Sequence, residues 1–473
     1  MKTIFSKKLT ALLLILVILV SLTACNFNPA RNPIETPKED ILAKIEATLL
    51  NDTKEYNYVD EYLLYWGISG FDSKKFIFYE ELFMYYYNFE DGLPAPLTHA
   101  ADTAKLFIEY YYDSIDLKDM TAVTDALLNC YVYSVGDPYS FYRNAEEFEA
   151  YENDMSGTFG GIGVQIEYNH NEQTLMISQV FKGGPAEEGG MKVGDYIVAV
   201  DGKSLDELGG YNNAVYYVRG EIGTSVTVTV DRNGTLIDIT MVRALVVDNS
   251  VEYRLTDEGY GYVAITSFKE NTAEQFRAAI EALEDLGAVG YIFDLRTNPG
   301  GLVNSVSNVL SYILPKDKMV ISYELKNGQK YAYVTGEDIM PEDEANESND
   351  HVIDLPMVIL CNEYTASSGE IFVACLRDYK TQGLIDDLVI VGKNTYGKGI
   401  LQHTIPYTKQ IGNNHYLVDN SYATLTTAYY IPPSGINYHG IGIAPDITVN
   451  ITGTTDTQLA EAINQLNLML KSK

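Results

Sequence analysis

Tryptophan occurs once in the 473 residues, histidine six times and cysteine four times. Positive charge is also scarce: 33 Lys and Arg stand against 65 Asp and Glu, a formal charge of −32. Such a balance argues against a nucleic-acid partner, which needs clustered cations to meet phosphate. Apart from Cys25, the three cysteines Cys130, Cys361 and Cys375 are an odd, sparse set that gives no disulfide framework. Cys361 and Cys375 lie in apolar runs and read as small core residues, at a separation unlike a zinc spacing. Residues 336–350 are acidic but lack the EF-hand pattern, so they read as a solvated loop. The apolar run Leu12–Leu22 is too short for a comfortable membrane span.

What is abundant is tyrosine, 38 in all, which suits half-buried surfaces. The chain length leaves room for two to four domains.

The stretch from Pro356 to Gln402 is the most informative. The run Pro356–Cys361 reads as a buried strand, followed by the small, polar segment Thr365-Ala-Ser-Ser-Gly-Glu370 and the helical Ile371–Leu376. A serine at a strand-to-helix junction can expose its hydroxyl above the free N–H groups of the helix start. A second strand, Leu388–Gly392, leads to Gly397-Lys-Gly399, with Gln402 four residues past Lys398. No histidine lies in this stretch. The base for a serine nucleophile is therefore expected to be a desolvated lysine. Taken singly, an N-cap segment and a Gly-Lys-Gly turn are also ordinary structural features.

Taken together they resemble the carboxy-terminal processing peptidases, also called tail-specific proteases. By that resemblance Ser367 matches the nucleophile, Lys398 the general base and Gln402 the residue that orients the lysine. The family's Ser-Ala-Ser-Ala-Ser-Glu pattern is broken here at Ser368 and Gly369, which leaves Ser368 as a competitor for the nucleophile. The spacing from Ser367 to Lys398 is several residues longer than expected, with the excess placed in a loop over Asp378–Asp387. Asp294-Leu-Arg-Thr-Asn-Pro-Gly-Gly301 is similar to another family signature. It implies that Gly300 or Gly301 donates one oxyanion N–H and Ser368 the other. Read without the family, it is a βα turn with Asp294 and Arg296 as a structural ion pair. Asp137-Pro-Tyr-Ser-Phe-Tyr142 matches a turn that the family places before its PDZ domain. No metal and no cofactor is expected.

Between residues 156 and 245 the order of glycine loop, strands, Gly-Pro-Ala, Gly-Asp-Tyr-Ile and Val-Asp-Gly looks like a PDZ domain. That fold captures a C-terminal carboxylate on exposed N–H groups, and the peptide adds as a strand. The matching loop is Gly160, Gly161, Ile162 and Gly163. The alternative is a PDZ that packs as a lid without binding a tail.

At the N-terminus a basic start and the apolar run end in Leu22-Thr-Ala-Cys25, which resembles the bacterial lipobox. It implies a signal peptide over 1–24, a lipid on Cys25 and a tether over 25–40. The body would then lie on the outer face of the bacterial cytoplasmic membrane; an uncleaved anchor is the alternative. Residues 41–155 are expected to be mainly helical and 246–473 to form the peptidase core with a C-terminal helix. The fold class expected is α/β (multi-domain α+β), an α/β serine-protease core with an inserted PDZ domain and a helical N-terminal region. Tyr- and Phe-rich 51–98 reads as a homodimer arm, a substrate-facing flap or a membrane-surface element, and periodicity does not choose among them. The partners implied are protein substrates with free, flexible C-termini. Two rivals are weighed: a Ser–His peptidase using His99, and a tail-binding scaffold without catalysis.

Overall fold

The computed structural model describes residues 114–471, except 170–173, 209, 326–327, 337–351, 412–413 and 452–454, with scattered positions from 71 to 111. The expected signal peptide, Cys25, the tether, most of 51–98 and His99 lie outside the described residues, as does most of the acidic loop. No helix among the described residues is long and apolar enough to cross a membrane.

The chain enters through α1 (Met120–Ser134), whose N-cap Asp119 accepts the N–H groups of Thr121 and Ala122. A turn follows, then the short β1 (Phe141–Arg143) and α2 (Ala145–Ser156), opened by a capping box between Asn144 and Glu147. Gly157, with φ 69°, ends α2 in the left-handed conformation that glycine adopts without penalty.

A separate unit comes next. It holds β2 (Thr158–Gly161), β3 (Val164–Asn169), β4 (Thr174–Val180), α3 (Pro185–Glu188), β5 (Tyr196–Val200), β6 (Lys203–Ser204), α4 (Tyr211–Val218), β7 (Ser225–Arg232), β8 (Thr235–Val242) and β9 (Ala244–Val247). The sheet order is β3-β4-β5-β7-β8, so β3 is an edge. Asn233 and Gly234, both with positive φ, make the tight β7–β8 turn. Ile162, Leu175, Ile177, Ile197, Val228 and Ala214 fill its own core. β9 returns to pair with β2, closing the unit where it began.

The remaining chain builds the larger sheet. It runs β10 (Val251–Leu255), β11 (Gly261–Ile265), α5 (Thr272–Asp285), β12 (Tyr291–Asp294), α6 (Val303–Leu310), β13 (Met319–Glu324), β14 (Lys330–Val334), β15 (Met357–Cys361), α7 (Ser368–Thr381), β16 (Leu388–Gly392), β17 (Ile400–Ile411), β18 (Asn414–Tyr429), β19 (Ile447–Thr448) and α8 (Thr457–Lys471). The order is β10-β11-β12-β15-β16-β19, parallel from β11 onward. Side chains alternate across this sheet. Tyr291, Phe293, Ile359 and Ile390 share one core with Phe276 of α5, Val306 of α6 and Phe372 of α7. Ile292, Val358, Leu360 and Val391 face the other way, against Ala462 and Leu466 of α8. The result is a three-layer α/β core, the expected fold class.

One feature differs from the expectation. Residues 378–381, expected in a loop, continue α7, because Asp378 is buried and accepts from Ser434 N–H at 2.9 Å. β18 is one half of a long hairpin with β17, joined by β1 in a second sheet of order β1-β18-β17. Register shifts at Leu401/Gln402 and Pro406/Thr408 break the two-residue alternation that would have revealed β17.

Candidate active site

The carboxyl ends of β12, β15 and β16 lie side by side, and the three loops that leave them meet there, as ligand sites do in open α/β sheets. The loop after β15 holds the segment from Thr365 to Glu370. Ser367 sits at its apex, immediately before α7, with φ 53° and ψ −119°. The other non-glycine residues with positive φ among those described are Asp201, Asn233, Asp317 and Asn420, types that tolerate this region. A serine there is strained, and strain of this kind is kept where a function needs it. Ser367 is 6% exposed.

The loop after β12 packs beneath it. Asn298 O accepts Ala366 N–H at 3.0 Å, and Thr365 Oγ1 donates to Leu295 O at 2.8 Å. Gly300 must be glycine: a Cβ there would stand 2.7 Å from Ser367 Cβ. Its N–H is already donated to Asn298 Oδ1 at 2.8 Å. Gly301 has φ 136° and its Cβ would strike Phe268 O. Among the described residues no acceptor takes the N–H of Gly301 or of Ser368, the first residue of α7. The Ser368 hydroxyl is engaged, donating to Gly301 O at 2.8 Å. Two backbone N–H groups near Ser367, one of them at a helix start, thus have no acceptor among the described residues.

The loop after β16 carries Lys398. It is fastened to the Ser367 loop by Glu370, a fully buried residue whose role the sequence did not reveal. Its Oε2 accepts Ser367 N–H at 3.0 Å and Lys398 N–H at 2.7 Å, and its Oε1 accepts Gly397 N–H at 2.7 Å and Thr395 Oγ1 at 2.5 Å. One carboxylate thus ties together the backbones of both candidate catalytic residues. Burial raises its pKa, and these four donors oppose the rise.

The Lys398 side chain is half-buried. Burial lowers its pKa, against the pull of Asp137 and Glu370 toward the charged form. Its Nζ lies 4.9 Å from the ring centroid of Tyr139 and forms no hydrogen bond or ion pair with a described residue. Gln402, on β17, donates from Nε2 to Thr426 Oγ1 at 3.3 Å and makes no hydrogen bond to Lys398. The buried Tyr430, another residue that the sequence did not single out, presents its hydroxyl to Ser367. His403 is half-buried, and desolvation lowers its pKa to about 4, so its ring is neutral near neutral pH. A pocket of about 550 Å³ opens here, walled by Tyr139, Pro299, Tyr364, Ala366, Tyr396 and Lys398.

The glycine loop of the smaller unit is divided in its use. Gly160 and Gly161 lie in β2, paired with β9, and Gly160 O accepts Gly220 N–H at 3.1 Å. Ile162 O and Gly163 O accept from Ala186 and Phe181, while the N–H groups of Ile162 and Gly163 meet no acceptor among the described residues. They stand at the head of the free edge of β3.

The sequence profile of Peptidase family S41 matches residues 259–449, and that of the PDZ domain matches residues 176–232. The chain is 32% identical over 344 residues to the carboxy-terminal processing protease CtpA of Bacillus subtilis, covering 72% of this chain and 66% of that protein. The chain belongs to peptidase family S41. A probable CtpA-like serine protease of Staphylococcus haemolyticus is 31% identical, over 72% of this chain and 64% of that protein. The match thus spans just under two thirds of these S41 relatives. The solved photosystem II D1 C-terminal processing protease aligns at 22% identity with a TM-score of 0.43, over 82% of this chain and 96% of that one. The S41 profile contains all three loops of the site, and Ser367, Ser368, Lys398, Gln402, Gly300 and Gly301 all fall within it.

Proposed function

We propose that this chain is a serine endopeptidase of the C-terminal processing type, with Ser367 as nucleophile and Lys398 as base. The observation that carries the reading is the strained Ser367 at a helix start, beside unspent N–H groups and joined through Glu370 to the backbone of Lys398.

In this mechanism neutral Lys398 Nζ takes the Ser367 hydroxyl proton as Oγ bonds to the scissile carbonyl carbon. The carbonyl π electrons move to oxygen, and the oxyanion is held by the N–H groups of Gly301 and Ser368. Gly300 is not assigned, because Asn298 occupies its N–H. Collapse of the intermediate breaks the C–N bond, and the departing amine takes the proton from Lys398. Water, activated by the same lysine, then hydrolyses the acyl-enzyme. Gln402, whose Oε1 accepts from no described residue, orients Nζ when the amine turns toward Ser367.

The PDZ unit would hold the free carboxylate of a protein tail on the N–H groups of Ile162 and Gly163. The tail would lie as an added strand on the edge of β3. The substrate is a protein with a flexible C-terminus. Anchoring by a lipid on Cys25, on the outer face of the bacterial cytoplasmic membrane, belongs to the same proposal.

The test is a cleavage assay read by mass spectrometry, on an unstructured protein with an apolar C-terminus. Tail-shortened products from wild type and none from Ser367→Ala are expected. Equal cleavage by both would remove Ser367 from the mechanism.

A further inference from the structure

The segment from Asp137 to Tyr142 has no part in the mechanism above, yet the fold fastens it over the lysine. The Asp137 carboxylate accepts Tyr139 N–H at 3.0 Å and Ser140 Oγ at 2.5 Å. Ser140 Oγ in turn accepts Thr426 N–H, from β18, at 3.0 Å. β1 follows at once and pairs with β18 through Phe141 and Thr424. β18 pairs with β17, which begins at Ile400, two residues past Lys398. Tyr139 and Lys398 are therefore mounted on one small sheet. The Tyr139 ring stands 4.9 Å from Nζ, and its hydroxyl donates to the Tyr396 hydroxyl at 3.4 Å. Both rings wall the pocket.

We propose, resting on the Ser–Lys reading, that Tyr139 is a positioning residue whose ring roofs Lys398, keeping water from the amine and holding Nζ at the pocket wall. The groups that face this amine define its balance. The carboxylates of Asp137 and Glu370 favour the ammonium, as does the ring face of Tyr139, and His439 lies close enough to feel its charge. Against these attractions, only exclusion of water favours the neutral amine that a base requires. The roof supplies that exclusion. Without the ring, water reaches Nζ, the ammonium is stabilised, and a smaller fraction of the enzyme holds a competent base at neutral pH.

The experiment uses the full chain as wild type, Tyr139→Phe, Tyr139→Leu and Lys398→Ala, assayed on an unstructured polypeptide with an apolar C-terminus. Initial rates are taken from about pH 6 to about pH 11, to give kcat, KM and the acid limb of kcat/KM. Tyr139→Phe keeps the ring and is expected to hold kcat within about 2-fold, with the limb in place. Tyr139→Leu is expected to lose about 10-fold in kcat near pH 7.5, with the limb moved up by about one pH unit and the rate recovering at high pH. A rise in KM alone, with an unmoved limb, would make Tyr139 a pocket wall and overturn the proposal. So would a Phe variant as impaired as the Leu variant, which would point to the hydroxyl bridge with Tyr396. Wild-type rates in Lys398→Ala would instead overturn the Ser–Lys reading, an outcome read independently of the Tyr139 series.

Discussion

Ser367 and Lys398 sit on loops that leave neighbouring parallel strands, β15 and β16, yet the two loops are held differently. On the serine side the constraint reaches the proposed nucleophile itself. Its φ is forced positive, its N–H is bound, and Gly300 backs directly onto its Cβ. On the lysine side the backbone is bound by Glu370, but the amine faces the Tyr139 ring and forms no hydrogen bond or ion pair with a described residue. A nucleophile must be aimed before substrate arrives, so rigidity there has a use. A base must stay neutral, and each hydrogen-bonded carboxylate added beside it would raise its pKa. The contrast fits the roles proposed for the two groups.

The largest effect should come from deleting either member. Ser367→Ala and Lys398→Ala are each expected to lower kcat by about 10⁴-fold, and the double variant by no more, because the two act as a unit. Losses that multiply in the double variant would show that the serine and lysine act separately. The pH dependence has a definite sign. Activity should rise with pH as Lys398 loses its proton, with the limb below the ordinary lysine value of about 10.4, since burial depresses this amine. A rate that falls over the same range would remove Lys398 as the base.

Glu370 is where the two sides join, so its loss should harm both. Glu370→Ala leaves four donors without this acceptor, three of them buried. About 100-fold in kcat and on the order of 3 kcal/mol of stability are expected, or about 9 °C in Tm. Glu370→Gln should be only partly better, because its amide N–H₂ would face other donors. Wild-type activity with an unchanged melting curve would mean that the carboxylate does not set the geometry.

How much of this could be read from the residues alone divides along the same line. The strand, small-residue turn and helix around Ser367 are local in sequence, and so is the glycine pair at 300 and 301. Local pattern therefore pointed to them. The surroundings of the lysine are not local. Tyr139 reaches Lys398 only because β1 pairs with β18 and β18 with β17, and the bulges in β17 hide its alternation. Glu370 was visible as part of the Ser367 segment, but nothing in the sequence says that its carboxylate reaches Gly397 and Lys398.

Gln402 tests whether the lysine side is as sparsely held during turnover as it is at rest. Its amide donates to Thr426, and its Oε1 accepts from no described residue. Gln402→Ala is expected to lower kcat by about 10-fold with little change in KM, the mark of a contact made only as the proton moves. An unchanged kcat would leave Tyr139 and burial alone to hold the base.

The smallest effect should fall on the PDZ unit, which leaves both sides of the dyad intact. Gly163 has φ 78°, so Gly163→Val strains the loop that presents the Ile162 and Gly163 N–H groups. Capture of the tail should weaken while the chemistry stays the same. The expected result is a rise of about 5-fold in KM for a protein substrate with a free C-terminus, with kcat held. A short peptide that reaches the cleft without the PDZ should show no change. If kcat falls for both substrates, the loop acts on the dyad itself, and the PDZ unit would no longer be a tail receptor alone.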